Sequence, residues 1–119
     1  MRSEDFEQMY LIDWASLDND IKPFLIHIRN EGKRTIGEGA KAKHMGLTRG
    51  VSDLFFAKPN GAYHGFWIEL KAPKGKLSAY QKIWLEKMKM VGYKAEVYFG
   101  WVSAAKALSD YVGKPYKGL

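Results

Sequence analysis

A chain of 119 residues with 46% hydrophobic and 14% aromatic side chains has the material for a packed core, which excludes a disordered chain and points to one domain over residues 1–119. The absence of cysteine excludes a disulfide framework and a thiolate zinc site, and no apolar run approaches the roughly 20 residues needed to cross a bilayer. The formal charge of +6 is unevenly spread, with six acids and one base in residues 1–20 against fifteen bases and five acids in residues 22–94; this favours a polyanionic partner, although mild basicity is also ordinary for soluble proteins.

The opening residues MRSEDFEQ lack the pattern of a signal peptide, so a soluble, intracellular, cytoplasmic protein with no membrane partner is expected. From Glu4 to Leu17, Phe6, Met9, Tyr10 and Asp13 recur at helical spacing behind Ser3, a residue suited to cap the helix start. Glu4 and Glu7 lie three apart on one face of that helix, where either carboxylate also favours the positive end of the helix dipole. The apolar run Phe24 to Ile28 predicts a buried strand. His27 within it reads as a core or edge histidine rather than a metal ligand, since no second histidine stands at ligand spacing. After the polar segment NEGKR at Asn30 to Arg34, residues Ile36 to Met45 suit a helix ending at Gly46. Lys41 and Lys43 on that helix, with Arg49 beyond it, set cations along a path that leads into Asp53.

The stretch Gly50 to Lys71, GVSDLFFAKPNGAYHGFWIELK, reads as two apolar strands joined by a turn-rich loop. Strand alternation puts Phe66, Ile68 and Leu70 on one face and Trp67, Glu69 and Lys71 on the other, while Asp53 shares the face of Phe55. A register that sets Asp53 opposite the end of the second strand brings two carboxylates and an ammonium together. Two carboxylates and a backbone carbonyl suit a hard divalent cation such as magnesium, and water on such a cation is more acidic than bulk water. A neighbouring lysine orients the nucleophile or stabilises charge on a phosphate, so the set meets the needs of phosphodiester hydrolysis. A D…ExK pattern in isolation is loose, and a strand-opening acid followed by a solvated edge pair also produces it. The apolar setting weighs against that bland reading, because an unpaired charge there is costly.

Beyond Lys71 the loop APKGKLS carries Lys74 and Lys76, and Ser78 suits the N-cap of a helix from Ala79 to Val91. Tyr80, Ile83, Trp84, Met88 and Val91 keep a helical period and are expected in the core. Gly92 stops that helix, a strand follows from Lys94 to Gly100, and a last helix from Ser103 to Val112 precedes a tail, KPYKGL, expected to fray.

In this order GVSDLFF, FWIELKAPKGKLS and YQKIWLEKMKMVGYKAEVYFGW, with NEGKR, the glycine- and lysine-rich run before Gly50, and Gln81, resemble the virus-type replication-repair nuclease (VRR-NUC) domain, a branch of the PD-(D/E)xK superfamily. The likeness runs from about Ser3 to about Tyr111, and it departs from the family where Ser52 replaces the usual proline before the first acid. It implies an α/β fold with the restriction-endonuclease-like αβββαβ core, a mixed sheet flanked by helices, and a Mg²⁺- or Mn²⁺-dependent DNA endonuclease. In that reading Asp53, Glu69 and the carbonyl of Leu70 hold the metal and Lys71 assists the nucleophilic water. The first helix supplies one more carboxylate, Glu7 in preference to Glu4, and Gln81 reaches into the site. Lys33, Arg34, Lys41, Lys43, Arg49, Lys74 and Lys76 then contact phosphates. Stand-alone viral members imply a phage-type homodimer that cuts four-way (Holliday) junctions in the host cytoplasm, with Trp101, Val102 and Tyr111 offering apolar surface for the contact. Longer cellular relatives imply flap or other branched-DNA repair cleavage, and a catalytically silent basic DNA-binding module is the alternative from another class.

Overall fold

The computed structural model of the chain describes residues 2–29 and 36–119. In chain order it has helix α1 (Glu4–Ala15), a short 3₁₀ turn (Lys22–Phe24), strand β1 (Leu25–His27), helix α2 (Ile36–His44), strands β2 (Leu54–Phe56) and β3 (Phe66–Lys71), helix α3 (Ala79–Met90), strand β4 (Lys94–Phe99) and helix α4 (Trp101–Val112). The strands form one sheet in the order β1-β2-β3-β4. β1 with β2 and β2 with β3 are antiparallel, whereas β3 and β4 are parallel and joined by α3 as a crossover. This mixed sheet between helices is the αβββαβ arrangement, with α2 inserted between β1 and β2.

Period-two alternation gives the sheet two different faces. Leu54 and Phe56 of β2 and Phe66, Ile68 and Leu70 of β3 are buried against Leu11 and Trp14 of α1 and Ala104, Ala105 and Leu108 of α4. The alanines on α4 keep its packed surface shallow and let the helix sit close to the core. On the opposite face Phe55 and Trp67 pack at 4.3 Å between centroids with their planes tilted by 32°, and Trp67 meets Trp84 of α3 edge-on at 5.1 Å. α1 starts at Ser3, whose hydroxyl accepts from the amide of Phe6, and three acids in its first turn favour the dipole.

Four expectations change. β1 is three residues long and not a buried strand; it lies at the sheet edge with β2 on one side only, which leaves Ile26 exposed. In α3, Leu85 is buried and Trp84 and Met88 half-buried, but Tyr80, Ile83 and Val91 face solvent, because a helical period fixes a stripe without saying which side of it is covered. The tail does not fray. The indole of Trp14 donates to the carbonyl of Lys117 at 2.7 Å, Tyr116 packs on Trp14, and Lys114 pairs with Asp18 and Asp20. Finally, Trp101 and Tyr111 belong to the core, so of the three residues expected at a dimer contact only Val102 is exposed.

Candidate functional site

The candidate catalytic residues Asp53, Glu69 and Lys71 sit where β2 begins and β3 ends. Leu54 pairs with Ile68, so one step outward along these antiparallel strands sets Asp53 opposite Glu69. Asp53 is held from both sides: its carbonyl accepts from the amide of Ile28 at 2.7 Å and its Oδ2 accepts from the amide of Leu70 at 3.2 Å. In an extended strand the N–H and C=O of one residue point to the same neighbour, so the Leu70 carbonyl faces the Asp53 side as well.

Glu69 is 1% exposed, and neither carboxylate oxygen has a hydrogen-bond partner. Burial, and then the adjoining Asp53 carboxylate, push its pKa up to about 10, with Lys71 opposing and Glu4 adding to the rise. Lys71 is nearly buried, and its Nζ lies 3.6 Å from Glu4 Oε1. Glu4, Gln8, His27, Ile28, Asp53 and Leu70 line an open pocket of about 310 Å³ between the first turns of α1 and the strand tips. His27 is an edge residue whose Nδ1 lies 3.0 Å from Gln8 Nε2.

Two carboxylates side by side, Glu69 buried and Asp53 half-buried, are unfavourable as a charged pair unless a cation joins them. The orphaned oxygens of Glu69 therefore fit a metal ion. Among the described residues no three His, Cys, Asp or Glu side chains gather closely enough to hold one alone. A small hard cation that keeps part of its water shell needs no more than two carboxylates and a carbonyl, and that is what Asp53, Glu69 and Leu70 offer.

The other expected residues are placed unevenly. Glu7 is fully buried but serves elsewhere: its Oε1 accepts from the amide of Trp101 at 2.9 Å and its Oε2 lies 3.0 Å from Arg2 Nε. It thereby caps α4, whose N-cap is Gly100 at φ +90, a residue with no side chain to do so. The helix carboxylate that faces Lys71 is Glu4, the alternative. Gln81 is turned back on its own helix, its Oε1 accepting from the amide of Ser78 at 2.8 Å while its amide donates to Ser78 Oγ. The Ser-x-x-Gln spacing of a capping box signals that role in the sequence.

Lys41 and Lys43 are exposed on α2, Lys74 and Lys76 in the loop after β3, and Arg49 lies over the ring of Tyr80. Lys33 and Arg34 lie outside the described residues. Ser52, at the family's proline position, is fully buried with an unpartnered hydroxyl. Gly50, absent from the expected set, matters by its lack of a side chain: at φ +84, a Cβ there would lie 2.3 Å from the carbonyl oxygen of Tyr80. It locks the loop before Asp53 against the first turn of α3.

The model of the VRR-NUC domain family matches residues 2–100. A solved structure described as a VRR_NUC domain protein is similar at 26% sequence identity with a TM-score of 0.86, covering 100% of this chain and 96% of that one. No curated protein matches the sequence. The chain therefore belongs to the VRR-NUC family, a nuclease domain of the PD-(D/E)xK kind whose substrate is DNA and whose members generally use divalent metals.

Proposed function

We propose that this protein is a Mg²⁺- or Mn²⁺-dependent endodeoxyribonuclease selective for branched DNA, acting as a homodimer that resolves four-way junctions. The observation that carries the catalytic part is the unpartnered, desolvated Glu69 beside Asp53 at the strand ends. A DNA-binding module without activity has no use for such a pair, which supports the enzyme reading over the silent one.

Asp53, Glu69 and the Leu70 carbonyl would hold the ion, which when bound would supply an acidified water and neutralise charge on the scissile phosphate. Asp53 is kept in place by the amides of Leu70 and the end of β1, so its carboxylate does not have to be ordered on binding. Lys71, anchored at the end of β3, gives up the Glu4 carboxylate for the phosphate and orients the attacking water. The exposed lysines 41, 43, 74 and 76 draw the phosphate backbone toward this edge in a salt-dependent way.

Each chain offers one such site among its described residues, and resolving a four-way junction takes two symmetric nicks, so the resolvase must be a two-fold dimer. The test is cleavage of linear, flap and four-way junction DNA with and without Mg²⁺, alongside light scattering with junction present. Paired, ion-dependent cuts by a dimer are expected on the junction. A monomer cutting flaps as readily as junctions refutes the resolvase and leaves the nuclease standing. No ion-dependent cleavage of any DNA refutes both.

A further inference from the structure

We infer that Tyr80, braced by Arg49, is a stacking platform for an unpaired nucleobase beside the cleavage site, and that it makes this nuclease prefer DNA with an unstacked base at the branch. The inference rests on the nuclease reading above and names what that site selects. Tyr80 is 52% exposed at the second position of α3, and Ile83, one turn on, is equally open. The guanidinium carbon of Arg49 lies 5.2 Å from the tyrosine centroid, and Arg49 Nη1 lies 3.5 Å from the phenolic oxygen. A pair of this kind is commonly no more than a weak surface contact. Three features here ask for more.

The first is rigidity. The first turn of α3 is fixed by the reciprocal capping of Ser78 and Gln81, and Gly50 seats the preceding loop directly against the Tyr80 carbonyl. The ring therefore stands on backbone that is already ordered, and stacking on it orders little else.

The second is position. Asp53 follows Gly50 by three residues, a reach of at most about 11 Å even when fully extended. The backbone of Tyr80, seated against Gly50, is thus tied by a short tether to the strand that carries Asp53.

The third is charge. Arg49 lies on the ring, the exposed Lys74, Lys76 and Lys82 stand within six residues of Tyr80 in the chain, and between Leu70 and Leu85 the sequence has no acid, so the segment suits a phosphate chain. Aromatic and guanidinium planes accept any base, because every base has a π-face, but a base inside a duplex is already stacked on both sides. Only a base freed from pairing, in a flap or gap or at the crossover of a junction that the bound protein opens, can take the platform.

The experiment uses the full chain as Glu69→Gln in Mg²⁺, so that DNA is bound without being cut, with 2-aminopurine placed singly at the unpaired position of a flap and, separately, inside a fully paired duplex. The expected result is quenching of the flap probe on binding, lost in Tyr80→Ala and in Tyr80→Leu and kept in Tyr80→Phe. Affinity for the flap falls about tenfold in the first two, corresponding to the lower part of the 1–3 kcal/mol typical of one stacked base, while duplex affinity is unchanged. Quenching that survives in Tyr80→Leu, or an equal loss of affinity for duplex and flap, overturns the platform. Because binding and fluorescence are read without cleavage, failure of the nuclease reading shows separately, as wild-type protein that cuts no DNA in Mg²⁺.

Discussion

Replacing Glu69 with Gln tests the site through stability as well as activity. The side chain keeps its shape and loses its charge. In the free protein Glu69 holds its proton up to about pH 10, against an ordinary value of 4.5. In the unfolded chain it ionises above 4.5, so between these limits the unfolded state binds fewer protons than the folded one and stability falls as pH rises. At about 1.4 kcal/mol per pH unit, the penalty reaches about 3 kcal/mol at pH 7 and vanishes below the unfolded value. Glutamine has nothing to titrate, so without divalent ions the variant should be the more stable protein at pH 7, by about 10 °C in melting temperature for a chain of this size. At pH 4 the two should melt together. Adding Mn²⁺ should reverse the order, because the ion stabilises the wild type by binding its folded state and has lost a ligand in the variant. Thermal melts of both proteins at pH 4 and pH 7, in chelator and in Mn²⁺, read all three effects, and cleavage should be abolished throughout. A variant that melts at or below the wild type in chelator at pH 7 refutes the reasoning, since it means that the buried carboxylate is not a burden on the free protein.

Lys71→Ala should still bind Mn²⁺ by calorimetry, since lysine is no ligand, and cleave about 10²–10³ times more slowly; loss of ion binding would show that Lys71 holds the carboxylates in place instead. Glu7→Ala strips the cap of α4 and should lose about 3 kcal/mol in urea unfolding with Mn²⁺ affinity unchanged in the remaining folded protein, and Glu7→Gln, which keeps an acceptor for the Trp101 amide, should recover most of it. A drop in ion affinity for Glu7→Gln would return Glu7 to the metal site. Ser52→Ala removes a buried hydroxyl that has no partner and should leave the protein as stable or about 1 kcal/mol more so by the same measurement; destabilisation would mean the hydroxyl is hydrogen-bonded.

The position of Asp53, Glu69 and Lys71 could be read from the sequence because a strand has a period of two, which assigns faces without knowledge of the fold. A helix gives less. Glu4 and Glu7 sit on one face of α1, and what separates them is the start of α4, 94 residues beyond Glu7, whose open amide claims one carboxylate and leaves the other for Lys71. No local pattern carries that. The same holds for α3, where the apolar stripe was visible but its burial depends on where Trp67 and the sheet lie, and for the tail, which docks through Trp14 at the other end of the chain. Gln81 shows the converse: its local capping box was legible, and the family likeness drew attention to the site instead.

The first turn of α1 touches two places at once, Lys71 through Glu4 and the amide of Trp101 through Glu7. Sub-global opening is cooperative over such units, so fraying of this turn frees the Lys71 ammonium and uncaps α4 in a single event. Hydrogen–deuterium exchange at the one amide of Trp101 then reports, from outside the candidate site, how often the Glu4–Lys71 contact is in place. Ions or DNA that settle the first turn should slow that exchange before any bond is cut.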